Sequence, residues 1–540
     1  MKKVTKFIAF ALGVILIFSS FVACSNEKVV HTGDKFTYWA ELDSRASQTI
    51  TSYNDLLIYK EIAKKTGTEV EFLHPASGTT GNEAFQILLS SGNYPDMIEY
   101  YWGNYAGGVD SAIADGVIIA LNDYMEDYAP NYYDIMEGER AKENGYIYKK
   151  DAITVEGNYY GFNRLNYGTY GAYAGIYIRK DLLDKWGLDI PETIDDWTNI
   201  FKTAKENGVK YPLTGSKSMF QVTGEVDAFN TGWNVGKGFY LNNGKVKFGP
   251  FEKAYKDYIA KMAEWTKLGY IDIDFVTNNN DNVYGYITNG TSIASWGYSS
   301  AIAKLLDAMK ERNPEFDLVA CPYPVMNKGD EGQFQPVAPN ANDSAIAISA
   351  QCGADNEDRY KEAIKWCDYI YSDEGTVLKI FGVEGDTYTV EKDENGEEHY
   401  FYTDRIYDYE KIGAHSVEAA LYHFLRPGGV GFIEHPDYLN GFYPYQQQKD
   451  AVKTWNKYVD NAKNHVLPPL PFTGEEAAQK AEIQAAAASN FNATILNIIL
   501  GKQSMDEYDA AVSTAKKAGY NKLLKIYQAA YDRYQTKISE

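Results

Sequence analysis

Between residues 35 and 99 the chain switches repeatedly between two periodicities, and few folds accept that alternation. Residues 35–40 (KFTYWA) have strand character and end in the polar loop Glu41-Leu42-Asp43-Ser44. Residues 54–65 place Leu57, Ile58, Ile62 and Ala63 at helical spacing, with Gly67 positioned to end the helix. Residues 68–73 (TEVEFL) predict a second strand, 83–90 a short helix, and 95–99 a third strand. Strand–helix–strand–helix–strand implies a parallel, doubly wound α/β sheet. Ligands bind such sheets off the carboxyl ends of the strands. Here those ends lead to Trp39 and Trp102.

The first 24 residues address the chain. Residues 1–6 carry three lysines and no acid, 7–21 are almost wholly apolar, and Ala23 precedes Cys24. A basic start, a short apolar run and a small residue before the cut describe an export signal. The run falls short of the roughly 20 apolar residues that span a bilayer. Cys24 in this position resembles the bacterial lipobox, which implies cleavage before Cys24 and lipidation of its thiol. The expectation is a signal peptide over 1–23, a tether over 24–34 that reaches about 30 Å at most, and a lipid-anchored protein on the extracellular face of a bacterial cell membrane.

Composition narrows the partners. Removing the signal deletes three lysines and no acid, taking the formal charge from −22 to −25. Such a surface repels nucleic acid and anionic lipid. The 540 residues exceed what one core serves, so two or more lobes are expected. The 46 tyrosines are the compositional outlier. An aromatic face with a hydroxyl at its edge suits the C–H faces and hydroxyls of sugars, although most of these tyrosines are expected in the core. Cys321, Cys352 and Cys367 have no CxxC spacing; they read as buried thiols, with one disulfide among them left open. No HExxH or complete P-loop is present, and no cofactor or metal is expected. The acidic turn at 393–398 carries an Asn-Gly hairpin signal; it reads as a solvated hairpin, with calcium as the alternative.

Several separated segments then carry a family resemblance: TGTEVEF, PDMI and DGVIIAL in the first part, GIYIRKDLLDKWGLDIPETIDDW from Gly175, GYIDIDF from Gly269, and the helical end FNATILNIILGKQSMDEYDAAVSTAKKAGYNKLLKIYQAAYDRY. Together they resemble the extracellular solute-binding proteins of ABC importers, in the sugar-binding branch called family 1. The resemblance implies a two-lobed, type II periplasmic-binding-protein-like fold with a helical C-terminal extension. It implies lobe 1 over 35–168, lobe 2 over 169–325, a return to lobe 1 over 326–385, and a mostly helical 386–540 completing lobe 2. Hinges are expected before Ile176 and at 344–348. The implied partners are a carbohydrate ligand and the permease subunits of an importer, with the protein itself a monomer.

Aromatics at strand ends and nearby polar groups give the candidate ligand-binding set: Trp39, Asp43, Trp102, Asn104, Trp233, Trp296, Tyr298, Asn342, Asp343 and Arg426. Two other classes compete with importer binding. A glycoside hydrolase needs two carboxylates across a sugar cleft, and the 74 acids leave that arithmetic open. A tethered sensor for a membrane kinase would share the same fold.

Overall fold

The computed structural model describes residues 35–166, 173–221, 228–353 and 356–539. The signal, Cys24, the tether and most of the first hinge lie outside the described residues.

The predicted alternation forms the first lobe. Strands β1 (Lys35–Trp39), β2 (Glu69–Leu73) and β3 (Met97–Tyr101) pair in parallel, β1 at the centre. Helix Leu57–Thr66 ends at Gly67, whose φ of +72° is the left-handed conformation a glycine adopts without strain. Helix Gly81–Ser91 begins in a capping box: the Thr80 hydroxyl accepts from Glu83 N–H, and Glu83 reaches back to Thr80 N–H. Strand β4 (Phe162–Leu165) lies two places from β3. Strands β5 (Ala174–Arg179), β6 (Phe239–Asn242), β7 (Lys245–Phe248), β8 (Ala294–Tyr298) and β9 (Leu318–Ala320) belong to the second half of the molecule. Strand β10 (Ala341–Ile348) returns to the first sheet between β3 and β4, antiparallel to both. With β11 (Tyr388–Lys392), β12 (Glu398–Tyr402) and β13 (Phe432–Ile433) the strand set is complete for the described residues, and the first sheet runs β13-β4-β10-β3-β1-β2.

The second lobe is built on β8-β5-β9, with β5 antiparallel to both neighbours. Single bridges of Leu213 to Ala294 and Ile271 widen this sheet. Helix Ile194–Glu206 starts at Thr193, as its sequence predicts, in a capping box with Asp196. It buries Trp197, Phe201 and Ala204 against Phe229 and Trp265. Helices Gly474–Ile499 and Asn521–Ser539 add Phe491, Ile495, Ile498, Leu523 and Ile526 to the same core. The extension also touches the first lobe, where the Tyr534 hydroxyl donates to Asp151 at 2.8 Å.

Two expectations need correction. Residues 388–443 do not complete lobe 2: Tyr388, Tyr402, Leu421, Phe432 and Tyr443 bury in the first core, because the β11–β12 hairpin folds its aromatic face over Phe381. The spacing of Ser504 and Glu507 predicts a capping box, which does not form: the helix begins at Asp506, and Glu507 N–H bonds the Ser504 carbonyl instead of its hydroxyl. Cys321, Cys352 and Cys367 are each buried and free, the reading their spacing favoured over a disulfide. Among the described residues no helix is long and apolar enough to cross a membrane.

Candidate functional site

The cleft wall in the first lobe is made by the carboxyl ends of β1 and β3, the start of β10, and the loop after helix Val417–Phe424. They enclose a cavity of about 520 Å³ whose lining includes Trp39, Glu41, Asp43, Asn82, Glu99, Tyr101, Asn104, Arg164, Asn342, Ser344, Tyr422 and Arg426. A second cavity, of about 770 Å³, opens beside it between the lobes and the extension, lined by Asp151, Leu241, Asp343, Pro468, Tyr531 and Tyr534 among others. Tyr101 and Asn342 line both.

Five of the ten predicted residues meet in the first cavity: Trp39, Asp43, Asn104, Asn342 and Arg426. Trp39 is nearly buried, packed on Phe85 with one edge on the cavity. Asp43 takes both arms of Arg45, at 2.9 and 2.8 Å, and this pairing holds its carboxyl below the ordinary range against the opposing effect of burial. Asn342 Oδ1 accepts from Ser344 N–H at 3.1 Å, and its carbonyl accepts from Asn163 at 2.8 Å. Arg426 lines the cavity but is almost wholly buried. Its guanidinium grips Glu99 at 2.9 and 2.6 Å, donates to Tyr59 at 3.2 Å, and stacks 4.2 Å from the Tyr53 ring centre.

The other five fall elsewhere. Trp102 is fully buried: the short 3-10 turn after β3 carries it back into the core, where its indole N–H donates to the Ala345 carbonyl at 3.2 Å. It packs edge-on to Phe85 and Tyr100 and has no face to offer a ligand. Trp233 is half-buried against Tyr258 on the second core. Trp296 and Tyr298 end β8 as an edge-to-face pair, centroids 5.5 Å apart; Trp296 is half-buried and Tyr298 59% exposed. Asp343 points to the second cavity, its carboxylate lying over Gly103, where a Cβ would meet Oδ2 at 2.8 Å. Burial pushes its carboxyl up, and nearby Lys480 pulls it down.

Sequence reasoning missed Glu41, Asn82, Glu99, Arg164 and Tyr422. The strand-end rule reaches Glu41, two residues past Trp39. Nothing local marks Arg164, which pairs with Glu434, or Tyr422, whose hydroxyl accepts from Arg45 at 2.8 Å. Behind this wall Lys379 is buried, donates to the Arg426 carbonyl at 3.0 Å, and is lowered to about 7 by burial and by Arg426. The β11–β12 turn brings Asp393, Glu397 and His399 together, but Asp393 Oδ1 already accepts from Asn395 and Glu397 amides, so the hairpin accounts for the acids.

Two α/β lobes with a polar, aromatic-edged cleft at the strand ends of the first define a binding protein of the hinged, ligand-enclosing class. Comparison with known sequences agrees: the model of the bacterial extracellular solute-binding proteins matches residues 48–377, and the chain belongs to that family. It is 24% identical to the fructooligosaccharide ABC transporter substrate-binding protein FusA of Streptococcus pneumoniae over 521 residues, 89% of this chain and 88% of FusA. It is 22% identical to lipoprotein LipO of Bacillus subtilis, over 87% of this chain and 88% of LipO. A third relative, the polygalacturonan/rhamnogalacturonan-binding protein YtcQ of Bacillus subtilis, is 22% identical over 62% of this chain; the match spans 64% of YtcQ. Among solved structures, FusA in complex with kestose superposes with a TM-score of 0.70 at 18% identity, over 93% of this chain and all of that one. The alginate-binding protein AlgQ2 without calcium gives 0.69 at 20%, over 94% of this chain and all of that one. These likenesses show the type II fold.

Proposed function

We propose that this chain is the carbohydrate-capturing component of an ABC importer, held at the outer face of the cell membrane by lipid on Cys24. The observation that carries this reading is the first cavity. Aromatic edges from Trp39, Tyr101 and Tyr422 surround amide, hydroxyl and carboxylate groups from Asn82, Asn104, Asn342, Ser344 and Glu41. Flat faces bury sugar C–H surface, and the polar set reads hydroxyls. On closure, Trp296 and Tyr298 at the end of β8 would bring aromatics from the second lobe to this cavity. Hinge closure encloses the ligand, and closure follows because ligand binds the closed state better. The monomer then presents this closed form to a permease.

No bond is broken in this account. The named relatives are binding proteins. Glycosidic hydrolysis takes two carboxylates about 5–9.5 Å apart, whereas Asp43 and Glu99 are held by Arg45 and Arg426, which leaves Glu41. Isothermal titration of residues 25–540 against oligosaccharides, peptides and amino acids tests the reading. Saturable binding of an oligosaccharide recovered intact supports it; binding of peptides alone, or appearance of shortened sugar, overturns it.

A further inference from the structure

The cavity wall discriminates by charge. A ligand carrying carboxylates needs a cation left over to meet them, and among the described residues the wall of this first cavity has none to spare. Arg426 is clamped on Glu99, and the two side chains are only 5% and 11% exposed. Arg164 is paired with Glu434, and Arg45 with Asp43. The Nε–H groups of Arg164 and Arg426 have no partner among the described residues, but they are sealed from solvent and out of a ligand's reach. Lys379 lies fully buried behind Arg426. Glu41 is the exception among the charges: it lies in the cavity with no hydrogen-bond partner among the described residues. Its carboxylate rests against Gly81, where a Cβ would meet both oxygens at 2.6 Å. A side chain at 81 would displace it. Burial, Glu99 and Asp43 all push the Glu41 carboxyl up, so its field adds to theirs.

We infer that, within the carbohydrate reading on which this rests, the cleft selects uncharged saccharides and rejects uronic-acid ones, with Glu41 as the specificity-determining residue. Glu41 accepts hydroxyl hydrogens from a neutral ring, a charge-assisted contact. A uronate placed there meets the uncompensated Glu41 carboxylate with Glu99 and Asp43 close behind it; Glu41 is exposed, so the repulsion of like charges is screened in part but still opposes the uronate. This separates the chain from a polygalacturonan binder and sets it with binders of neutral oligomers.

Titration calorimetry with neutral trisaccharides (kestose, maltotriose, cellotriose, xylotriose, mannotriose) and with trigalacturonate and trimannuronate tests it on the wild-type chain and on Glu41→Gln. The expected result is a neutral trisaccharide bound at least a hundredfold more tightly than either uronate, equivalent to about 2.8 kcal/mol. Glu41→Gln then weakens the neutral ligand about tenfold and narrows the gap to the uronates. Its thermal midpoint does not fall, because the change is isosteric and removes a charge that burial, Glu99 and Asp43 disfavour. A uronate bound as tightly as the neutral sugars overturns the charge rule and leaves the carbohydrate reading standing. Unchanged neutral affinity in Glu41→Gln overturns the role of Glu41. Binding of peptides with no saccharide of either class sinks both readings.

Discussion

Arg426→Met tests whether the cleft wall is built on a buried ion pair. The substitution keeps the apolar stem against Tyr53 and removes the guanidinium. Among the described residues Glu99 then keeps the hydrogen bond from the Tyr38 hydroxyl at 2.8 Å, in a site where its side chain is 11% exposed. Removing one partner of a buried pair costs about 3–5 kcal/mol, because a desolvated charge is left unbalanced. At about 2–4 °C per kcal/mol for a unit of 150–250 residues, the first-lobe transition falls by about 6–20 °C. Glu99→Gln with Arg426→Met removes both charges and keeps an acceptor for Tyr38, so the double variant is more stable than Arg426→Met alone. Thermal and urea unfolding of the four proteins of the cycle read this coupling. A loss below about 1 kcal/mol in Arg426→Met, or strict additivity, refutes the reasoning: Glu99 would then be solvated and the wall not dependent on the pair.

Other consequences are simpler. Trp102→Ala empties a core position and costs about 3–5 kcal/mol, read by urea unfolding. Tyr298→Ala changes stability by less than about 0.5 kcal/mol yet weakens sugar binding severalfold in titration calorimetry. Lys379 has its pKa depressed to about 7, so the unfolded chain binds more protons above that value. Stability therefore rises with pH between 7 and 9 by linkage, and Lys379→Met flattens that rise in urea melts at the two pH values. Cys24→Ser moves the protein from the membrane fraction to the medium, read by immunoblot.

The legible parts of this molecule were those set by local pattern. The β1–β3 alternation, the Gly67 stop and the Thr193 cap all follow from residues within a few positions of one another. Packing across long separations was not legible. Trp39 ends one strand and Trp102 follows another, but a single 3-10 turn sends Trp102 inward, where its indole meets Ala345 far along the chain. Arg426 lines the cavity as the sequence suggested, but its clamp on Glu99, 327 residues earlier, had no local mark. The 388–443 segment carries no mark of its lobe, because what commits it is the fit of its tyrosines over Phe381.

A crystal structure of the chain with a bound neutral oligosaccharide tests the central claim most directly. The account predicts an intact saccharide between the Trp39–Asn342 wall and Trp296–Tyr298, one ring hydroxyl on Glu41, with the lobes closed over it. A saccharide outside that cleft, or lobes unmoved around it, contradicts the account.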